Sequence, residues 1–248
     1  MKKFVAFSVA ALLLAACGES TAPTSSSVST PIPTFAPRLD FTAASIGFST
    51  DFEGDFGTSA SPFLPNRIET IPANNYSRGG KKFLGRFAND VVTFTVDYTA
   101  GANVSYDLYI IGTWDGIANN KKYAPDTWQA AAFCGSSTSP SYTFTTTFSN
   151  KTTTKQNYPA QWGGTAYAGT TGAIYTGDVL GFGAAGLTLV TNSTVSSYGT
   201  VYSRSDPFPT CPGGTATVTW VFWSPSQHLQ SVFDESWGLD NFSVTGAV

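Results

Sequence analysis

Alternating apolar and polar side chains are the feature that most limits how this chain of 248 residues can fold. Residues 92–98 alternate strictly, as expected of a β-strand with one buried face. Similar strand-like runs occupy residues 104–111, 142–148 and 215–223, and clusters of Gly, Asn, Ser and Pro between them supply turns. Helical periodicity is absent outside the N-terminal segment. Short strands without intervening helices predict an all-β protein built as an antiparallel sandwich.

The two ends of the predicted domain favour a jelly-roll β-sandwich. The first run, 48–52, and the last, 239–244, both have the pattern of strands that belong fully to a sheet, and a doubly layered sheet protects its edges better than an open one. Leu239 is out of alternation with Phe242 and Val244. This irregularity predicts a β-bulge in the last strand.

Two further details follow from the strand pattern. The stretch 165–200 is rich in Gly and Ser, and only short strands are expected in it, at 178–183 and 187–190. Trp220 and Trp223 are an odd number of positions apart, so alternation places them on opposite faces of one strand. One of them is expected in the core and the other at the surface.

The N-terminus has the pattern of a secretion signal. Lys2 and Lys3 precede a short apolar run that is too short to cross a bilayer comfortably as a helix. Residues 14–17, Leu-Ala-Ala-Cys, resemble the lipobox of bacterial lipoproteins, in which the cysteine carries the lipid. The alternative is that Cys17 is an ordinary buried cysteine. The resemblance implies a bacterial cell-envelope protein anchored through Cys17, at the outer membrane or the cell surface.

Composition divides the chain into three segments. Residues 1–16 are the predicted lipoprotein signal peptide. Residues 17–40 are rich in Ser, Thr and Pro with almost no charge, which predicts a disordered tether. Residues 41–248 then form a single β-sandwich domain, a length that suits one such fold. With Cys17 lipidated, Cys134 and Cys211 remain, and two cysteines in an exported chain predict one disulfide rather than two free buried thiols.

Several function classes are disfavoured by the sequence. The net charge is −3 and no basic run exceeds Lys81-Lys82, which argues against nucleic-acid binding. A Ser-His-Asp hydrolase would have to use His228, the only histidine, without a Gly-x-Ser-x-Gly motif. The stretch 234–240 lacks the Glu-x-Asp-x-x-Glu pattern of lectin-fold glucanases. We therefore expect a protein that is not an enzyme, with a glycoside hydrolase that uses Glu235 as the weakest alternative.

Acidic residues gather beside predicted turns and indicate a structural calcium site. Calcium takes six to eight hard oxygen ligands, often carboxylates. The first and last strands of a jelly roll are often neighbours, which would bring the acids of residues 51–53 near those of residues 240–241. Alternatively, Asp115 and Asp126 form a loop site of their own, or the acids cap turns and pair with arginines. The predicted metal ligands are Asp51, Glu53, Asp115, Asp126, Glu235 and Asp240.

Aromatic residues near predicted loops indicate a carbohydrate-binding surface. Aromatic residues make up 15% of the chain, and Trp and Tyr combine an apolar ring with a polar group that can hydrogen-bond. The predicted ligand-binding residues are Trp114, Trp128, Trp162 and Tyr167. The alternative is that these rings fill the interior of the sandwich.

A set of motifs runs in order along the domain: Asp51-Phe52-Glu53-Gly54, Phe83-Leu84-Gly85-Arg86-Phe87, and the stretches 106–116, 125–128 and 234–242. Together they resemble a family of extracellular bacterial jelly-roll domains of the lectin-like or galactose-binding-like kind, over roughly residues 45–247. The resemblance implies a jelly roll, calcium and carbohydrate. We therefore expect a surface lipoprotein with a calcium-stabilised domain that binds a glycan or cell-surface polysaccharide without catalysis. The alternative is a structural or adhesive envelope protein without specific sugar binding.

Overall fold

The computed structural model describes most of the predicted domain. Its described residues are 43–54, 61–73, 78–117, 125–183, 199–225 and 231–246. The predicted signal peptide, Cys17 and the tether lie outside the described residues, as do His228 and the predicted strand at 187–190.

The described residues form strands and no helix. In chain order the strands are β1 Ser49–Thr50, β2 Phe63–Leu64, β3 Ile68–Thr70, β4 Lys82–Phe87, β5 Val91–Asp97, β6 Asn103–Gly112, β7 Thr127–Cys134, β8 Tyr142–Thr147, β9 Lys155–Gln156, β10 Tyr167–Ala168, β11 Gly199–Pro207, β12 Thr217–Trp223 and β13 Glu235–Thr245. Accordingly, the described part of the chain contains no apolar helix long enough to span a membrane.

The strands form two antiparallel sheets that pack face to face. Sheet I has the order β11-β6-β13-β4-β3, with β1 also paired to β13, and sheet II has the order β2-β5-β12-β7-β8. Strands β9 and β10 form a separate two-stranded ribbon. The main apolar core contains inward-facing residues of both sheets. The prediction of an all-β antiparallel sandwich is therefore confirmed.

Strand β12 shows how alternation builds this core. Val218, Trp220 and Phe222 lie between the sheets, whereas Val221 and Trp223 lie on the outer face of sheet II. The two tryptophans thus occupy opposite faces, as predicted. Trp223 is nevertheless buried, because it belongs to a second apolar cluster on that outer face.

Some segments differ from the sequence-based expectation. Strand β7 was not predicted, because all eight of its residues are buried and its central alanines hide any alternation. The predicted strand at 178–183 is wrong, since this segment forms turns in which Gly181 N–H donates to Asp178 O at 2.8 Å. Only Asp178 makes a strand-like bridge, to Gly199.

The predicted bulge lies in β13. The register against β6 shifts between Asp240 and Ser243, and Asn241 adopts a left-handed φ of 46°. Because of the extra residue, Leu239 and Phe242 both point into the core. Beyond the bulge, β1 pairs with β13 through Ser49 and Ser243, so the first and last strands are neighbours as predicted.

A polar network around a buried ion pair on β11 joins the two sheets. It lies where the edge strand β11 of sheet I faces the edge strand β8 of sheet II. Arg204 pairs with Asp206, and both side chains are shielded from solvent. Asp206 also accepts hydrogen bonds from the hydroxyl groups of Tyr106 and Tyr142, at 2.5 and 2.7 Å. The guanidinium of Arg204 lies 3.8 Å from the ring centroid of Phe144 in sheet II. This network closes one side of the sandwich.

The predicted disulfide between Cys134 and Cys211 is confirmed. It joins the end of β7 in sheet II to the loop that follows β11, across a sequence separation of 77. Cys211 N–H also donates to the hydroxyl of Tyr98 at 3.2 Å. The loop is therefore held to the sandwich by one covalent and one polar contact.

Candidate functional site

The predicted metal ligands separate into three places in the structure. Asp115, Asp126 and Glu235 interact electrostatically with each other, together with Asp234 and Lys151. We call these five residues the acidic cluster. Asp240 lies in a different group, formed by Arg78, Asp107, Tyr109, Asp240 and Asn241, which we call the outer-face cluster. Asp51 and Glu53 belong to neither.

The acidic cluster lies at one end of the sandwich, between the two sheets. Asp115 follows β6 and Glu235 begins β13, two neighbouring strands of sheet I in which Gly112 and Glu235 are paired. Asp126 immediately precedes β7 of sheet II. Lys151 follows β8 on the same sheet. Three separate segments therefore supply the four carboxylates.

Two glycines allow the loop after β6 to approach these segments closely. Gly112 has a φ of +92°, and a Cβ atom there would lie 1.7 Å from the carbonyl oxygen of Asp234. Gly116 has a φ of +66°, and its Cβ would lie 2.1 Å from the carbonyl oxygen of Lys155. Only glycine fits both the space and the left-handed backbone. The approach of the loop thus positions Asp115 beside the start of β13.

The two more accessible carboxylates of the acidic cluster, Asp115 and Asp234, both have polar partners. Thr113 donates from its N–H to Asp234 O at 2.9 Å and from its hydroxyl to Asp234 Oδ1 at 2.5 Å. The N–H of Asp115 donates to Asp126 Oδ2, and Lys151 Nζ pairs with Asp115 Oδ1. Among the described residues, the four carboxylates are thus accompanied by one ammonium group. The cluster holds an excess of negative charge if all four ionise.

Two carboxylate oxygens of the cluster are buried without a partner. Asp126 is fully buried and Glu235 is 5% exposed, and Asp126 Oδ1 and Glu235 Oε2 accept no hydrogen bond within the described part of the chain. Burial, reinforced by the charges of Asp126, Asp234 and Asp115, raises the pKa of Glu235 to about 10. Burial also raises the pKa of Asp126 well above its usual value. Both carboxylates therefore lack the stabilisation that an ionised buried group requires.

The arrangement only partly meets the requirements of a metal site. Among the described residues, no three His, Cys, Asp or Glu side chains converge closely enough to hold an ion as they stand. The donor set, however, consists of carboxylate oxygens, which are the ligands that calcium prefers. The chemistry of the donors fits calcium, and the ammonium of Lys151 lies among them.

The outer-face cluster lies on the face of sheet I that points away from the main core. Asp107 of β6 and Asp240 of β13 are directly paired across the sheet. Arg78 donates to Asp107 Oδ2 at 2.8 Å and to Asp240 Oδ2 at 3.1 Å. Tyr109 donates its hydroxyl to Asp240, and Asn241 Nδ2 donates to Asp107 Oδ2 at 2.8 Å. Burial raises the pKa of Asp240, although these donors and the charge of Arg78 oppose that effect.

The assignment of Asp240 to the same metal site as Glu235 is wrong. The two residues are five positions apart in one strand, so alternation directs them to opposite faces of sheet I. Asp240 is paired with Arg78 instead, an outcome that the alternative of acids paired with arginines had anticipated. Strand alternation alone contained the signal for this separation. Arg78 carried no comparable signal, because it lies in a turn far along the chain from both partners.

An exposed aromatic ring adjoins the outer-face cluster. The guanidinium of Arg78 lies between the rings of Tyr109 and Tyr175, 5.3 Å from each centroid. Tyr175 is 47% exposed. Ser105 and Ser203 flank Asp107 on the same face, as judged from the strand register. Sequence reasoning did not identify Tyr175, since it lies outside any regular strand.

Asp51 and Glu53 stay near the last strand but far from the acidic cluster. Asp51 helps to line a shallow groove of about 420 Å³ with Asn241 and Ser243. Glu53 accepts a hydrogen bond from Lys82 N–H at 2.9 Å. Ser243 and Glu235 are eight positions apart in β13, or roughly 25 Å at the usual rise per residue. Asp51 and Glu53 therefore cannot share one ion with Glu235, and their assignment as metal ligands near residues 240–241 stays a prediction.

Two of the predicted aromatic ligand residues are buried, and the other two are accessible. Trp114 and Trp128 are fully buried, and their assignment to a ligand surface is wrong because they pack in the core around Phe148. Trp162 is 40% exposed and Tyr167 is half-buried. The loop that carries Trp162 is anchored by its N–H, which donates to Thr145 O at 2.7 Å. Trp162 and Tyr167 remain predicted ligand residues.

Comparisons with known proteins give no relative from which a function can be transferred: no family model matches the chain, and no curated protein does. The fold class is therefore established by the structure alone. Any activity has to be argued from the two clusters and the exposed aromatic residues.

Proposed function

We propose that this chain is a lipid-anchored protein of the bacterial cell envelope whose jelly-roll domain binds carbohydrate without catalysis. The observation that carries the proposal is the outer-face cluster with its adjoining aromatic ring. It joins the donors Arg78 and Asn241 to the acceptors Asp107 and Asp240 beside the exposed Tyr175. The pairing of the first strand with the last supports the jelly-roll topology.

The chemistry of this surface suits a neutral sugar. Adjacent hydroxyl groups of a sugar both donate and accept hydrogen bonds, and the cluster offers partners for both. The side chains of Arg78, Asp107 and Asp240 are only 16%, 10% and 7% exposed, so a ligand at the sheet surface would contact their edges alone. The ring of Tyr175 supplies an apolar face on which C–H groups can stack. Sites of this kind combine an apolar platform with a few fixed polar groups.

Anchoring through Cys17 rests on the sequence. The lipobox-like residues 14–17 and the Ser/Thr/Pro-rich tether support a domain held at a distance from a membrane. The partners proposed on this basis are the membrane, through the lipid, and a glycan or cell-surface polysaccharide.

A glycan array with the full-length chain tests the proposal. We expect binding of at least one neutral glycan, and a loss of roughly fivefold or more in affinity on Tyr175→Ala, because a stacking contact contributes about 1 kcal/mol or more. Trp162→Ala tests the loop of Trp162 in the same way. Phe233→Ala is the matched control, since Phe233 is an equally exposed aromatic residue that contacts Arg86 instead.

The results separate the alternatives. Loss of binding on Trp162→Ala, with binding retained on Tyr175→Ala, would assign the ligand to the loop and contradict the outer-face cluster. A wild-type chain that binds no glycan would contradict the proposal and favour the structural or adhesive alternative. Hydrolysis of a bound glycan that stops on Glu235→Gln would favour the glycoside hydrolase.

A further inference from the structure

The acidic cluster carries an inference that does not depend on carbohydrate binding. Its two most buried members, Asp126 and Glu235, each direct one carboxylate oxygen into the protein without a hydrogen-bond donor among the described residues. Unsatisfied buried oxygens of this kind are rare in folded proteins and call for an explanation, such as a bound ion. Here two of them occur beside two further carboxylates, at the end of the sandwich where both sheets meet.

The small number of donors around these oxygens points to what satisfies them. Lys151 pairs with Asp115, and Thr113 donates to Asp234, so both of the more accessible carboxylates have partners. Asp126 accepts one backbone hydrogen bond at its other oxygen. We infer that the acidic cluster binds one divalent cation of the calcium type, with Asp126 and Glu235 as its buried ligands and Asp115 and Asp234 on its accessible side.

The donor chemistry selects the kind of cation. All four candidate ligands are carboxylates, and hard oxygen donors suit calcium, magnesium or manganese rather than zinc or copper. The ligands come from three segments, two of them in loops beside strand ends. Calcium accepts irregular coordination by six to eight oxygens, whereas magnesium requires near-ideal octahedral geometry. The cluster therefore fits calcium better than magnesium.

Lys151 occupies a carboxylate that the cation would bind. Its ammonium group now neutralises Asp115, and no three carboxylates among the residues described converge on one point. Binding of a cation releases Asp115 from Lys151 and draws the carboxylates together. The ammonium group and the calcium ion thus compete for the same oxygen.

Thermal unfolding of the full-length chain in detergent, after EDTA treatment, tests the inference. Addition of about 10 mM calcium, roughly ten times or more the dissociation constants typical of extracellular modules, is expected to raise Tm by roughly 3 °C or more. Glu235→Gln keeps the shape of the side chain but removes the ligand charge. In this variant we expect an unchanged or higher Tm without calcium and no calcium response. A purely structural role for Glu235 would instead lower Tm in both conditions.

Calorimetric titration with calcium provides the second test. Lys151→Met removes the competing ammonium and is expected to tighten calcium binding about tenfold or more, since at least one charge interaction no longer opposes it. Asp240→Asn, in the outer-face cluster, is the control and should keep the calcium response. A wild-type Tm unaffected by calcium, a response retained in Glu235→Gln, or unchanged affinity in Lys151→Met would each overturn the inference. The last criterion holds even if Glu235→Gln fails to fold.

Discussion

At the scale of single residues, the most demanding environment is that of Asp206. Its carboxylate is fully buried at the side of the sandwich. It accepts hydrogen bonds from Tyr106 and Tyr142 and forms an ion pair with Arg204. Every part of this arrangement depends on the others, because a buried charge is tolerated only when it is paired. The network therefore makes the contact between β11 and β8 specific.

Removal of the negative charge tests this network. Asp206→Asn leaves the guanidinium of Arg204 buried without its counterion, and we expect a loss of about 3–5 kcal/mol in the free energy of unfolding. Chemical denaturation followed by fluorescence measures the loss. Ser205→Ala removes the neighbouring exposed hydroxyl group and should change stability by less than about 0.5 kcal/mol. Equal effects of the two substitutions would show that the buried pair is not important for stability.

The sequence predicted which residues are chemically notable better than it predicted their neighbours. Residue type and nearby turns identified Asp115, Asp126 and Glu235, and these three do interact electrostatically. The separation of Asp240 from Glu235 followed from strand alternation, which was applied to the aromatic residues but not to the acids. The burial of Trp114 and Trp128 corresponds to the alternative that the sequence left open, because a ring next to a turn can point to either side of it.

At the scale of structural elements, the loop after β6 depends on glycine. Gly112 and Gly47 have nearly the same φ, +92° and +90°, but only Gly112 is crowded. Gly112→Ala is expected to lower the free energy of unfolding by about 3 kcal/mol or more, since it adds a clash with Asp234 to backbone strain. Gly47→Ala, with no atom within 4 Å of the added Cβ, should cost only about 1–2 kcal/mol from backbone strain.

Denaturation curves of these two variants check the assignment directly. The difference between their losses in free energy of unfolding measures the effect of the close packing of β6 against β13, because the backbone strain is nearly the same in both variants. Similar losses in both variants would contradict a special role for the close approach at Gly112.

Strands whose sequences alternate at least in part were predictable, and strands without alternation were not. Strand β5 alternates between core and outer-face residues, and the bulge of β13 was evident from the misplaced Leu239. Strand β7 is buried on both faces, so its sequence Thr-Trp-Gln-Ala-Ala-Ala-Phe-Cys contains no period of two. Strand β11 was missed because it begins at the end of a Gly- and Ser-rich stretch that gave no clear periodicity.

At the scale of the whole molecule, the disulfide is expected to contribute substantially to stability. It closes a loop with a sequence separation of 77, and the double change Cys134→Ser and Cys211→Ser should lower the free energy of unfolding by about 4 kcal/mol. Urea denaturation measures the change. Cys17→Ser is the control, since it lies in the predicted tether and should leave the stability of the domain unaffected. A double variant as stable as the wild type would contradict the expected contribution.

The pairing of β1 with β13 also determines where the chain enters the domain relative to the acidic cluster. The chain enters the domain beside the C-terminal end of β13, where Gly47 N–H donates to Val244 O at 3.0 Å. The acidic cluster lies at the opposite end of the same strand, ten positions away, which corresponds to roughly 33 Å. In a chain anchored through Cys17, the acidic cluster would lie at the pole of the domain opposite the attachment of the tether. A C-terminal fusion would emerge beside that attachment, away from the acidic cluster.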